Sequence, residues 1–144
     1  MIHQVGKPQD VYDDPVDLFV AKFLGTPPIN VFKGRAEAGK LYIGNECIMP
    51  AAKIADQSVT VAIRPEGFVL SDSGVLSCNL NRVEVMGRDV SVVCSHTDCE
   101  NADIRAIISA EIPVNTASKT VRFDVKPQKV FVFAEDTQER LHLQ

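Results

Sequence analysis

The chain has 144 residues, of which 45% are hydrophobic and 24% charged, and its formal net charge is -4. These values are typical of one folded domain with a short appendage, and the acidic balance disfavours nucleic-acid binding. No run approaches the roughly 20 apolar residues of a membrane-spanning helix, and residues 1–7 lack a signal-peptide pattern, so we expect a cytoplasmic location.

The first pattern along the chain is a short amphipathic helix over residues 14–24. Asp14 can cap its start, Pro15 suits the first helical position, and Gly25 is placed to end it. The apolar residues recur at helical spacing and form one stripe: Val16, Phe19, Val20, Phe23 and Leu24. A shorter helical turn is predicted over residues 8–12. Because so short a helix is marginal alone in water, the stripe must dock, either on the following domain or on one upstream.

From residue 29 onward, apolar and polar residues alternate in short runs separated by turn residues. The predicted strands are 29–37, 40–49, 59–63, 83–85, 90–94, 104–108, 121–125, 129–134 and 141–143. Since no helices are interleaved, we predict a mostly β fold, an antiparallel barrel or sandwich preceded by one or two short helices.

The four cysteines are spread over half of the chain, at Cys47, Cys78, Cys94 and Cys99. Cys47 and Cys94 lie in apolar runs, where a free thiol behaves as a small hydrophobe. Because the chain carries no secretion signal, we expect reduced and mostly buried thiols rather than a disulfide framework.

Residues 34–41 match a phosphate-binding P-loop from Gly34 to Lys40, but Leu41 stands where the magnesium-binding Ser or Thr belongs. A P-loop joins a strand to a helix, whereas this stretch lies between two predicted strands. The sequence therefore favours a β-hairpin turning at Ala38-Gly39, and predicts no nucleotide site here.

A second stretch, residues 94–99, places Cys94, His96 and Cys99 close together in sequence. A structural zinc site usually needs four ligands, and only Cys47 or Cys78, in other segments, could complete the set. We therefore predict a buried Cys94 followed by an exposed loop over residues 96–101, with metal binding as the weaker alternative.

The sequence offers little for catalysis, since it has no Gly-x-Ser-x-Gly elbow and its paired acids lie at turns or helix boundaries. It also contains no Trp, and Phe123, Phe131 and Phe133 lie in alternating runs that predict core positions rather than a base-stacking platform. We predict neither an enzyme nor a nucleic-acid-binding barrel.

Two stretches carry a family resemblance. They are Ile2-x-Gln4-x-Gly6-x-Pro8-x-x-Val11-Tyr12-x-x-Pro15, followed by Phe19-Val20-Ala21-x-Phe23-x-Gly25-x-Pro27-x-x-Asn30, and the signature Ile63-Arg64-Pro65-Glu66. The first resembles the segment that closes the nucleotide-binding domain of sugar-type ABC importer ATPases, the maltose and glycerol-phosphate group, and leads into their C-terminal domain. The signature resembles one inside that C-terminal domain. Ala62 stands where the signature is usually preceded by Gly. A weaker echo, Phe131 to Leu141, is similar to the family's closing hairpin, with Thr137-Gln138 where the family usually has Thr-Gly.

The resemblance implies that residues 1–28 are the helical edge of a nucleotide-binding domain and that residues 29–144 form a transport-associated, OB-like regulatory and dimerisation domain. ATP and magnesium would bind in an upstream domain, so this chain itself would have no cofactor and no catalytic residue. The implied partners are a second copy of the chain, ABC permease subunits through the upstream domain, and a cytosolic regulatory protein, with the assembly peripheral on the inner face of the membrane.

Two alternatives stay open at this point. The barrel could sense a small oxyanion or sugar, with Arg64, Arg82 and Arg88 as candidate ligand contacts, although exposed surface arginines explain them more simply. A free-standing enzyme is the third hypothesis.

Overall fold

The computed structural model describes residues 29–137 and 139–141, which form two antiparallel β-sheets facing each other. Their strands are β1 (Asn30–Glu37), β2 (Lys40–Ile43), β3 (Glu46–Pro50), β4 (Gln57–Ile63), β5 (Phe68–Leu70), β6 (Leu76–Met86), β7 (Asp89–Ser95), β8 (Ile104–Ser109), β9 (Thr120–Val125), β10 (Val130–Ala134) and β11 (Arg140–Leu141). Sheet 1 has the order β11-β10-β4-β1-β2-β3, and sheet 2 has the order β5-β9-β6-β7-β8.

The two sheets enclose one core and make a nearly closed barrel, so the predicted mostly β, OB-like antiparallel fold is confirmed. Within the described residues, the helical elements are two 3-10 turns, Pro65–Gly67 and Pro127–Lys129. The predicted helix over residues 14–24 and the turn over residues 8–12 lie outside the described residues. None of the helices in the described part is long and apolar enough to cross a bilayer.

Apart from shifts of one or two residues at strand ends, the strands differ from the sequence prediction in three places. The run 40–49 is two strands, because Gly44 adopts a φ of 60° and turns the chain between β2 and β3. Strand β6 is much longer than the predicted 83–85, since it starts at Leu76, before the alternation becomes regular. Strand β5 was missed because three residues carry too little periodicity.

The main core lies between the sheets and is built by the alternate residues that point inward. Sheet 1 contributes residues such as Phe32, Leu41 and Val61, and sheet 2 contributes residues such as Leu76 and Phe123. All five are inaccessible to solvent. Because each strand gives every second side chain to this layer, the core follows directly from the period-2 pattern.

Sheet 1 carries a second apolar cluster on its other face. We call it the outer-face cluster, and its members, none more than 4% exposed, are Ile29, Val31, Ala62, Phe131 and Phe133. Phe131 and Phe133 are therefore buried as predicted, but not in the main core that holds Phe123. Their neighbours Val130 and Val132 fill the main core instead. Strand β10 is thus apolar on both faces, as is typical of strands covered on two sides.

Gly34 provides a direct test of the packing between β1 and its neighbours. A Cβ at this position would lie 2.5 Å from the Tyr42 carbonyl oxygen and 2.8 Å from a Val61 methyl carbon. We expect Gly34→Ala to lower the free energy of unfolding by about 1–3 kcal/mol through overpacking. The exposed Lys40→Ala should change it by no more than about 0.5 kcal/mol. Urea unfolding followed by circular dichroism measures both, and equal midpoints for the two variants would contradict the packing.

Candidate functional site

The P-loop-like stretch is a β-hairpin, as predicted. Strands β1 and β2 pair directly around it, with Glu37 opposite Lys40. Ala38 and Gly39 form the turn, with φ values of 52° and 74°, the two left-handed residues of a type I′ hairpin. A phosphate cradle needs backbone N–H groups that converge on the anion. Here residues 34–37 are paired with β2 on one side and, up to Ala36, with β4 on the other, so they do not fit a nucleotide phosphate.

The family signature forms a corner at which the chain leaves one sheet for the other. After β4, the chain passes through the turn Pro65–Gly67 into β5 of sheet 2, and after β9 it returns through Pro127–Lys129 into β10 of sheet 1. The Arg64 N–H donates to the Lys129 carbonyl (3.1 Å), and the Lys126 N–H donates to the Gly67 carbonyl (2.8 Å). We call these two linked turns, residues 64–67 and 126–129, the crossover corner.

The two halves of the crossover corner share a local pattern that the sequence analysis missed. Each consists of an alternating apolar strand, a basic residue in extended conformation and a proline that starts the turn, namely Arg64-Pro65 and Lys126-Pro127. Proline suits this place because its φ is preset for the first helical position and its missing N–H is not needed there. In the sequence this pattern is only an apolar strand followed by a basic residue and a proline, and it occurs twice. Such a short pattern could not be recognised before the fold was known.

Arg64, the basic residue of the signature, is 1% exposed. Its guanidinium lies over the Phe131 ring at 5.5 Å, and the Arg140 guanidinium lies over the same ring at 4.8 Å. Both guanidiniums therefore border the outer-face cluster. A cation stacked on an aromatic face is attracted by the ring quadrupole, more so when water is excluded. This burial leaves Arg64 almost no surface toward solvent.

The other two candidate ligand arginines lie on the exposed β6–β7 hairpin. Arg82 contacts the carboxylates of Glu84 (2.9 Å) and Asp103 (3.7 Å). Arg105 also bonds Glu84 (2.7 Å), and these hydrogen bonds, first from Arg105 and then from Arg82, hold the pKa of Glu84 below its usual range. Arg88 is exposed and lies in the two-residue turn between the strands. The structure thus does not bring the three arginines of the prediction to one surface.

Asn30 is the last residue of the first family stretch and lies in β1, opposite Ile63 of β4. Its side chain links sheet 1 to β8 of sheet 2. It is 1% exposed, and its side chain makes three hydrogen bonds. The amide donates to the carbonyls of Ile63 (3.3 Å) and Arg105 (3.2 Å), and its oxygen accepts from the Arg105 N–H (3.2 Å). Because a buried amide without partners is costly, these bonds explain why the position calls for Asn.

Cys94, His96 and Cys99, the candidate metal ligands, make packing contacts and hydrogen bonds within the barrel. Cys94 is fully buried, as predicted. Interaction with the neighbouring Cys94 thiol, together with burial, raises the pKa of Cys78, and burial raises the pKa of Cys99 to about 11. His96 packs edge-on against Phe32, and its Nδ1 accepts the Asp98 N–H (3.0 Å).

Residues 96–101 are more closely packed than the sequence predicted. The segment was expected to be an exposed loop, but Cys99 forms an isolated bridge with Phe32 of β1 and is only partly exposed. All four thiols are free, with two buried and two partly buried. In the part of the chain that the structure describes, no three His, Cys, Asp or Glu side chains are grouped to hold a metal. The docking stripe, Val16, Phe19, Val20, Phe23 and Leu24, lies outside that part.

The fold and the crossover corner together define an OB-like antiparallel barrel. Its relatives include the sn-glycerol-3-phosphate import ATP-binding proteins UgpC of Ruegeria sp. (strain TM1040), 29% identical over 97% of this chain, and of Jannaschia sp. (strain CCS1), 30% identical over 98%. The oligosaccharides import ATP-binding protein MsmX of Bacillus subtilis (strain 168) is 28% identical over 97% of this chain.

Over nearly its whole length, the chain is therefore homologous to the C-terminal part of the ATP-binding subunits of sugar-type ABC importers. It spans only 39%, 40% and 42% of the length of these three relatives, in the same order. No family model matches the chain. Among solved structures, the molybdate-bound form of the cytoplasmic molybdate-binding protein ModG aligns over 72% of this chain and 94% of its own. The identity is 12% and the TM-score 0.43.

Arg64→Ala separates a structural role of the signature arginine from a ligand-binding one. Removing a buried side chain of this size should lower the free energy of unfolding by about 2–5 kcal/mol, because it leaves a cavity beside Phe131. The exposed Arg88→Ala should stay within about 0.5 kcal/mol of the parent chain. Urea unfolding checks both values. Unchanged stability of Arg64→Ala would contradict the structural role and restore Arg64 as a candidate ligand contact.

Proposed function

We propose that this chain is the non-catalytic regulatory and dimerisation end of the ATP-hydrolysing subunit of an ABC importer for sugars or related small solutes. The observation that carries the proposal is the alignment of essentially the whole chain with the C-terminal part of such subunits. Residues 1–28 would be the helical edge of a nucleotide-binding domain, and residues 29–144 the barrel.

The geometry of residues 34–41 supports a non-catalytic role. Their backbone is engaged in a hairpin within sheet 1, and Leu41 is a fully buried core residue rather than a magnesium ligand. The ATP and magnesium of the importer would then be held by a domain N-terminal to this one, as the family resemblance implies. What the barrel contributes is a rigid body, because its two sheets are tied by the crossover corner and by Asn30.

The expected partners follow from this placement. A second copy of the barrel would keep two ATPase subunits together while their nucleotide-binding domains open and close, and the permease would be contacted through the upstream domain. The paired barrels would stay in place while the nucleotide-binding domains move. They can couple the open and closed states only if their contacts differ between these two states. A cytosolic regulatory protein could bias those contacts. The subunit would be cytoplasmic and held at the membrane by the permease.

A ligand-sensing barrel is the alternative, and one feature of the described surface favours it. A groove of about 520 Å³ lies beside β9, lined by apolar and polar residues that include Asp72, Asn115, Ser118 and Arg122. This mixture suits a hydroxylated solute better than a bare oxyanion, since Asp72 would repel an anion. None of the three arginines predicted as ligand contacts lines the groove.

Sedimentation equilibrium of the 144-residue chain tests the dimerisation role. We expect a reversible monomer–dimer equilibrium, with the weight-average mass rising with concentration toward twice 15.8 kDa. Addition of Mg-ATP should leave the melting temperature unchanged. A chain that stays monomeric at all concentrations would contradict the dimerisation role. A saturable rise in melting temperature with one sugar or oxyanion would favour the alternative.

A further inference from the structure

Strand β6 extends beyond the strand that pairs with it on one side. It runs on to Met86, but β9 pairs with it only from Leu76 to Asn79. Just after this point the register of β6 against β7 shifts, between Leu80 and Arg82. Such a bulge bends a strand and ends its pairing with a neighbour. Among the described strands, only β7 therefore pairs with the rest of β6, and the other edge of β6 is open.

The open edge presents backbone groups that the hairpin does not use. Met86 and Asp89 flank the two-residue turn of the β6–β7 hairpin and lie opposite each other. Such a turn is closed by hydrogen bonds between its flanking residues, and every second residue of an antiparallel pair bonds across it. The N–H and C=O groups of Val83 and Val85 therefore point away from β7. A row of such groups is a template for another strand.

The side chains along this edge are exposed as well. Val85 is 80% exposed and Met86 is 52% exposed, more than any other large apolar residue of the described part. The side chains of Arg82 and Glu84 are 49% and 41% exposed. Exposure of this degree leaves the edge accessible to a partner, and an accessible edge with apolar residues is a site at which another chain can add a strand.

We propose that a second copy of this chain adds its own β6 to the open edge, antiparallel and around a two-fold axis, so that sheet 2 continues from one barrel into the other. The proposal rests on the dimerisation role proposed above and assigns that role a surface. In strand addition, main-chain hydrogen bonds give affinity and the facing side chains give specificity. A two-fold interface uses the same surface on both copies, as two open β6 edges would.

The charges of β6 fit a second copy and select one register. With Val83 of both copies on the axis, Arg82 of each copy lies opposite Glu84 of the other. Opposite charges directly across a ladder stabilise the pairing, and like charges destabilise it. An axis at Glu84 would place the two Glu84 carboxylates opposite each other. An axis at Val85 would place Arg82 opposite Arg88 of the other copy. Only the register centred on Val83 is therefore complementary.

The open part of β6 is long enough for this register. Residues 81–85 of one copy would pair with residues 85–81 of the other, so that the β9 residues opposite Leu76 to Asn79 keep their partners. Arg105 of β8 bonds Glu84 at 2.7 Å and holds its carboxylate in place beside the edge. Because one added strand buries less area than most stable interfaces, we expect the association to be weak and reversible.

Val85→Pro tests the strand addition, with Val85→Thr as the matched control. Proline removes an N–H that the β6–β7 ladder does not use, and it is tolerated at an open strand edge. In sedimentation equilibrium, we expect the dissociation constant of Val85→Thr to stay within about twofold of the parent value. That of Val85→Pro should rise about tenfold, because the dimer loses two symmetry-related hydrogen bonds.

The outcome separates this proposal from the dimerisation role on which it rests. Equal dissociation constants for the parent and Val85→Pro would overturn the strand addition and leave the dimerisation role in place. A parent chain that stays monomeric at all concentrations would contradict both. Circular dichroism of Val85→Pro should match that of the parent, since the barrel itself keeps all of its ladder bonds.

Charge reversal tests the register without changing the backbone. Arg82→Glu should raise the dissociation constant about tenfold, since it places like charges opposite each other twice in the dimer. Combining it with Glu84→Arg restores opposite charges and should recover most of the loss. Arg35→Glu, a reversal beside Glu37 on sheet 1, is the matched control and should have no effect. A double variant no tighter than Arg82→Glu, or an equal effect of Arg35→Glu, would overturn the proposal.

Discussion

The chain must cross between the two sheets without leaving buried backbone groups unpaired, and the crossover corner is where it does so. Both crossings use the same device, a basic residue followed by a proline-started 3-10 turn, and the two turns lie side by side. The hydrogen bonds between Arg64 and Lys129, and between Lys126 and Gly67, satisfy donors and acceptors that would otherwise be lost. The pairing of β4 with β10 and of β5 with β9 depends on this arrangement.

The same corner links the main core to the outer face of sheet 1. Ile63 points into the main core, while the next residue, Arg64, lies buried against Phe131 on the other side. A sheet with two buried faces is stiffer than one with a solvated face, since changes on either side must be accommodated in close packing. We infer that this stiffness suits a domain whose proposed task is to hold two subunits together while other parts move.

The sequence predicted the fold well because the fold depends on local patterns. Alternation placed most strands, and Ala38-Gly39 with Leu41 distinguished a hairpin from a phosphate loop. What it could not predict depends on which face of a strand meets which layer. Phe131 and Phe133 were predicted to be buried, but period 2 cannot say that Val130 and Val132 take the main core and leave the phenylalanines outside. The basic character of Arg64 suggested a ligand contact, and its burial is a tertiary property with no local signal.

The contacts within the barrel explain two parts of the family resemblance, Asn30 and the signature, in physical terms. Asn30 connects β1 to β4 and β8 through hydrogen bonds, and the signature residues 63–66 form one half of the crossover corner. At both places the residue type is therefore required by the structure of the barrel. The central claim is that this barrel is the non-catalytic end of an importer ATPase. Immunoprecipitation of the native protein with an antibody against the barrel, followed by peptide mass spectrometry, tests that claim most directly. We expect a polypeptide as long as the relatives, with peptides from a complete P-loop and an ABC signature upstream of residue 1. A native polypeptide of 144 residues would contradict the claim.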